Sequence, residues 1–218
     1  MLSHRNLSVI GKRLVRISSR SKDRNFIRKI WHGNIVDLRQ TQLRRIQLLD
    51  KHGKDINPEV AVLFEPSQII VQQRWIDQVD PIDSDKSWRI VEALAQEIDR
   101  IHDLGIVHGD LCYSNVGLRD GVVCIFDWEP LLAINLGLGR VEFRTTQLAF
   151  HPSDLKKKEI SFASDRLAFI CLFLQMQLER YAGLKIAQRH LKEIAVLAES
   201  HNRCATLLQL LPRLGWFE

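Results

Sequence analysis

Apolar and polar side chains alternate through residues 7 to 17 and again through "NFIRKIW" at 25 to 31, with the period of two of a half-buried strand. The polar stretch SSRSKD between them predicts a hairpin. The period then changes to that of a helix in "TQLRRIQLLDKHG", where Leu43, Ile46 and either Leu48 or Leu49 share a face and Gly53 is the stop signal. "EVAVLFE" and "QIIVQQRWI" predict two further strands around a turn at Pro66. The first 76 residues therefore predict a small antiparallel sheet with one helix.

After the acidic stretch "DQVDPIDSDKS", the natural boundary between two lobes, the pattern becomes helical. Residues 87 to 104 place Ile90, Leu94, Ile98, Ile101 and Leu104 on one side, and Gly105 ends the run. "SDRLAFICLFLQMQL" is apolar almost all round, which predicts a buried central helix capped by Ser164 or Asp165. Residues 184 to 199 and 203 to 211 predict two more helices. The expected fold class is α+β: a sheet-rich lobe over 1–76, then a mainly helical lobe over 77–218.

With 218 residues, 45% of them hydrophobic, the chain can bury a substantial core. It contains no apolar run of membrane-spanning length, and a cytoplasmic protein is expected. The first twenty residues lack the apolar core of a secretory signal. Being rich in Arg and Ser and free of acids, they leave two readings open, an organelle-targeting peptide or a basic strand opening the fold. Cys112, Cys124, Cys171 and Cys204 form no CxxC pair and have no histidines at metal-ligand spacing, so they read as reduced thiols. The net charge of +5 is unevenly spread: residues 1 to 54 hold 14 Lys and Arg against 3 acidic residues, and the rest hold 17 against 23. Such a basic segment suits nucleic acid, an acidic lipid, an acidic protein or nucleotide phosphates, or is simply a solvated face. Without nucleic-acid motifs or interleaved aromatic and basic residues, a polynucleotide is not the expected partner.

The chemistry concentrates in "IVHGDLCYSNVGLRDGVVCIFDWEP", residues 106 to 130. Asp120-Gly121 is a favoured tight-turn pair, so NVGL and VVCIF predict a hairpin with Asn115 and Asp127 at one end. Two hard oxygen ligands suit Mg²⁺ held largely through substrate phosphates and water. Asp110, outside that pair, can orient or deprotonate a hydroxyl nucleophile.

HGDLCYSN followed by FDWE resembles the catalytic loop and metal-binding motif of the protein-kinase-like superfamily. The resemblance is to small atypical, bacterial-type Ser/Thr protein kinases, and also to aminoglycoside phosphotransferases and lipopolysaccharide kinases. It implies a two-lobed kinase-like fold, with Asp110 as the catalytic-loop aspartate, Asn115 as the metal-binding asparagine, and Asp127 as the aspartate of a DFG motif written here DWE. Gly109 replaces the usual arginine, as in the small-molecule and atypical branches. Further along, "FRTTQLAFHPSDL" resembles the end of an activation segment, with Thr146 near the substrate-positioning threonine and Pro152 near the APE proline. Ser153 stands where the APE glutamate would be, which leaves the usual anchoring salt bridge in doubt. Asp165 is expected to brace the catalytic loop, the alternative being a plain helix cap.

Lys29 shares a strand face with Ile27 and Trp31 and is the expected phosphate-binding lysine, with Lys12 the runner-up. Gln42 stands where the partner glutamate would be. No glycine-rich loop precedes Lys29, and "GLGRVE" at 137 to 142 reads as part of the activation segment. Backbone groups near Gln73 and Trp75 are expected to contact adenine. His108 reads as a brace of the loop and His102 as a surface residue, while His151 carries no expected role. The resemblance thus implies a kinase using ATP and Mg²⁺ on a protein Ser or Thr hydroxyl, with a small-molecule or lipopolysaccharide-sugar kinase and a non-enzymatic pseudokinase as the alternatives.

Overall fold

The computed structural model describes residues 6–9, 14–20, 26–33, 40–74, 77–78, 84–128, 151–157, 161–178 and 180–216. These fall into two compact units. The first comprises the described residues through Asp77 together with Phe126, Asp127 and Trp128. The second comprises those from Gln78 to Ile125 and from 151 onward. The chain is α+β, with small antiparallel sheets and mostly helical content.

In the first unit, β1 (Asn6–Val9), β2 (Leu14–Arg20), β3 (Phe26–Gly33), β4 (Val60–Glu65) and β5 (Gln68–Arg74) form an antiparallel sheet of order β1-β2-β3-β5-β4. The single strand expected over 7–17 is instead two, paired from Asn6↔Ser18 to Val9↔Val15. In sequence the interruption falls at Gly11-Lys12-Arg13, which breaks the apolar alternation. The expected β2–β3 hairpin is present in the register Leu14↔Gly33 to Arg20↔Ile27.

Helix α1 (Gln40–His52) lies against β4 and buries Ile46 and Leu49 completely, with Leu43 and Leu48 at the margin of the apolar face. A 3-10 turn follows at Gly53–Asp55. A side chain at Gly53 would place its Cβ 1.7 Å from the Val60 carbonyl oxygen, so the stop residue is also the point where α1 closes on β4. Val60, Val62, Ile69, Val71 and Ile56 complete this core. The two-residue strand β6 (Asp77–Gln78) marks the division between the units.

The second unit opens with α2 (Ser84–Asp103), which begins three residues before the expected start. Val91, Leu94, Ala95, Ile98 and Ile101 are buried along it. Its end is a Schellman motif: Ile106 N–H donates to Ile101 O and Gly105 N–H to His102 O, with Gly105 at φ +78°. The hairpin of β7 (Val116–Arg119) and β8 (Val122–Ile125) turns at Asp120 and Gly121, both at positive φ, as a type I′ turn demands.

Short helix α3 (Pro152–Lys157) precedes α4 (Phe162–Gln177), which is buried all round from Ala163 to Leu174. The residue at the N-cap of α4 is Ser161, not the expected Ser164 or Asp165, which lie within the first turn and direct their side chains to other partners. The single helix expected at 184–199 is two, α5 (Arg180–Arg189) and α6 (Leu191–Ser200). They divide at His190, whose φ of −103° and ψ of 17° leave the helical basin; its ring stacks on Trp216 and bonds Glu193. Helix α7 (Cys204–Leu210) packs on α2, with the Asp99 carboxylate accepting the Cys204 and Ala205 amides at 2.7 and 3.0 Å. Among the described residues no helix is long and apolar enough to cross a membrane.

Candidate active site

The Schellman turn ending α2 delivers the chain into the loop Ile106–Asn115 of the second unit. Asp165, 2% exposed in the first turn of α4, accepts the His108 amide on Oδ2 and the Gly109 amide on Oδ1, both at 2.7 Å. It therefore holds the loop from beneath rather than capping its own helix. Gly109 has φ +78°, a region in which a side chain is strained; this gives a backbone reason for glycine where the resembled motif carries arginine.

His102, read as a surface residue, instead directs Nε2 to Asp165 Oδ2 at 3.1 Å and packs on Phe162. Burial raises the Asp165 pKa. The His102 hydrogen bond, the electrostatic influence of the His102 and His108 rings and the Gly109 amide outweigh that, holding it below its usual value. The carboxylate is thus kept ionised as an acceptor.

His108 is buried and its Nδ1 accepts the Asp110 amide at 3.2 Å. Asn115, on the 3-10 turn Tyr113–Asn115, donates from Nδ2 to the Asp110 carbonyl at 2.8 Å and to Asp110 Oδ2 at 3.4 Å. Asp110 and Asn115 are therefore brought together. Both of these contacts use the amide nitrogen, so the oxygen Oδ1 is the atom of Asn115 suited to a hard cation.

The first unit carries Lys29, Gln73, Asp127 and Trp128. Lys29, in β3 between Ser18 of β2 and Val71 of β5, is only 6% exposed, and its ammonium forms an ion pair with the Asp127 carboxylate. A buried cation at this position needs such a partner, because an unpaired one would lose its hydration for nothing. Asp127 has φ +67°, a conformation few non-glycine residues adopt. Beside it the fully buried Trp128 donates its amide to Gln73 Oε1 at 3.2 Å. Residues 98 apart in sequence, Lys29 and Asp127, thus share one pocket of charge.

Gln73 lies in β5 with strands on both sides, paired with Ile27 and Val60, and its side chain is buried against Trp128. Its main-chain groups therefore lie within the ladder. Gln42 is in the first turn of α1; its side chain is outside the described residues, as are Trp75, Lys12, Thr146 and the segment 137–142.

Among the described residues no cluster of three or more His, Cys, Asp or Glu offers a dedicated metal cage. Asp127, in the first unit, and Asn115, in the second, each carry an oxygen of the hard type that suits Mg²⁺.

Two features escaped the sequence reading. One is His102, and the other is a hydrogen-bonded cluster around Asp154 and His151, at the start of α3. No family model matches the chain. It is similar to the KEOPS complex subunit Bud32 of Pyrococcus abyssi (strain GE5 / Orsay), 26% identical over 113 residues that make up 47% of this chain and 51% of that protein. The chain thus spans about half the length of this curated relative. The match supports a place in the kinase-like superfamily and gives nothing for a bacterial-type assignment.

Proposed function

We propose that this protein is an ATP-dependent phosphotransferase with Mg²⁺ as its cofactor, a minimal atypical serine/threonine kinase acting on a protein hydroxyl in the cytoplasm. The observation that carries the reading is the ion pair of buried Lys29 with half-buried Asp127, which joins a lysine suited to phosphate and an aspartate suited to a cation. In this reading Lys29 holds the α- and β-phosphates, and Asp127 and Asn115 hold Mg²⁺, which when bound neutralises phosphate charge. Asp110, oriented by Asn115 and His108, accepts the proton of the attacking hydroxyl as the γ-phosphoryl group leaves ADP. Adenine is taken to lie near Gln73 and Trp75, outside the β5 ladder. The acceptor is a protein or small molecule of acidic character; a polynucleotide is not part of the proposal.

A second reading, a kinase-like binding module, is favoured by one specific observation: the similar protein is named as a subunit of a complex. A small-molecule or lipopolysaccharide-sugar kinase remains the alternative substrate class. Incubation with labelled ATP and a lysate, separated into protein and metabolite fractions, tests all three. Label in protein is expected, label in metabolites would move the assignment to a small-molecule kinase, and no transfer would leave the binding module. Asp127→Ala should abolish Mg²⁺-dependent ATP binding, whereas Asp110→Ala should abolish transfer and keep most of the binding. Full activity in both variants would end the phosphotransferase reading.

A further inference from the structure

The resembled activation segment ends with a glutamate whose place is taken here by Ser153. One residue later Asp154, only 4% exposed, makes a set of bonds that the sequence gives no hint of. Its Oδ2 accepts the Ser161 amide at 2.8 Å, the Ser161 hydroxyl at 2.7 Å and the Ser164 hydroxyl at 2.5 Å. Ser161 occupies the N-cap of α4 yet makes no cap bond to its own helix; its hydroxyl is given to Asp154. Ser164, fully buried, in turn accepts the His151 amide at 2.8 Å. His151 Nε2 reaches the Ala195 carbonyl of α6 at 3.2 Å, and its Nδ1 meets Ser153 Oγ at 2.6 Å.

A single carboxylate therefore clamps positions 161 and 164 across the first turn of α4. The next residue, Asp165, carries the His108 and Gly109 amides, and His108 carries the amide of Asp110. Hydrogen bonds to an ionised acceptor are roughly twice as strong as neutral ones, and an anion at a helix N-terminus is further favoured by the helix dipole. Loosening the clamp would let Asp165 shift, and with it the loop that aims Asp110.

We propose that Asp154 is a positioning residue for Asp110, acting through Ser161, Ser164 and Asp165, and that it does by hydrogen bonding what a glutamate at position 153 would do by ion pairing. The proposal rests on the phosphotransferase reading for its consequence in turnover, but not for its consequence in the loop. The test uses the full chain with Asp154→Ala, Asp154→Asn and Ser153→Ala, following phosphotransfer, amide hydrogen exchange and urea unfolding.

Asp154→Ala is expected to lower kcat by about tenfold to a hundredfold, the scale of an ångström-sized misplacement, with little change in KM for ATP. Exchange should rise at 106–112 while the core of α2 stays protected. Asp154→Asn should recover part of kcat, because its amide oxygen can still accept from Ser161; should the alanine variant fail to fold, this variant decides by the same exchange pattern. Ser153→Ala should leave kcat unchanged. Unchanged kcat and unchanged loop exchange in Asp154→Ala would overturn the proposal, as would exchange rising equally across α2 and α7. If the wild type transfers no phosphate, the phosphotransferase reading fails, and selective or unselective exchange at 106–112 decides the positioning role alone.

Discussion

At the scale of single residues, the contact that most constrains the chemistry is the pairing of Lys29 with Asp127. A kinase-like lysine ordinarily leans on a helix glutamate, and α1 has no acid before Asp50. Asp127 supplies the charge instead; under the proposed function, Asp127 would turn to Mg²⁺ and Lys29 would be left to phosphate. Gln42 can at most add a neutral hydrogen bond. Gln42→Ala should therefore cost less than about tenfold in rate, or roughly 1.4 kcal/mol, whereas Lys29→Ala should cost far more under saturating ATP. Equal losses would show that Gln42 does stand in for the glutamate, and a harmless Lys29→Ala would move the phosphate contact to another basic residue. What could be read at this scale was local in sequence. The Asp120-Gly121 turn and the bracing of the loop by Asp165 follow from short motifs. His102 could not be read, because its partner is 63 residues away and a histidine at the end of an amphipathic helix looks like any surface residue. Asp154 was hidden for a related reason, since its three donors come from serines whose spacing has no characteristic period.

At the scale of elements, hydrophobic period located most helices and strands but not their breaks. Gly11-Lys12-Arg13 interrupts the alternation only briefly, and Leu7, Val9, Val15 and Ile17 keep one phase, so β1 and β2 read as one strand until their pairing is seen. Likewise the apolar stripe continues through His190, where only backbone angles and the Trp216 contact separate α5 from α6. Stop signals were more legible than starts, because a glycine does a specific steric job. Gly53 is the clearest case, since a Cβ there meets the Val60 carbonyl, which is backbone and cannot swing aside. Gly53→Ala should destabilise the chain by about 1–3 kcal/mol, the cost of overpacking a closed contact. A useful comparison is Gly121→Ala, where φ is +79° but nothing lies within 4 Å, so only left-handed strain of about 1–2 kcal/mol is at stake. Urea unfolding of both variants separates the two mechanisms: relaxing the α1–β4 junction by shortening a neighbouring side chain cannot rescue Gly53→Ala, because the obstacle is main chain. A Gly53→Ala protein as stable as the wild type would mean that α1 and β4 part at low cost.

At the scale of the whole molecule, charge is what the fold leaves unexplained. Of the 14 cations in residues 1 to 54, Lys29 is neutralised within the site, and the described exposed cations of that segment, Arg28, Arg44, Lys51 and Lys54, are accompanied by the exposed acids Asp50, Asp55, Glu59 and Glu65 of the same unit. The excess therefore rests on the remaining cations of the first 39 residues, among them Lys22 and Arg24 in the connection between β2 and β3. Cations this dense in sequence would attract an acidic partner over about one screening length, roughly 10 Å at 0.1 M salt, and so would act on the rate of association more than on what happens afterwards. Raising salt from about 10 mM to physiological strength should slow capture of an acidic acceptor by about tenfold or more, while leaving kcat nearly unchanged. Reversing charge at Lys22 and Arg24 together should flatten that dependence, and reversing the single exposed charge of Arg44 on α1 should flatten it far less. Stopped-flow association of an acidic peptide across a salt series measures both slopes. A response flat in the wild type would return the basic segment to an ordinary solvated face, and the acceptor would then have to be chosen by shape and hydroxyl geometry near Asp110 rather than by charge.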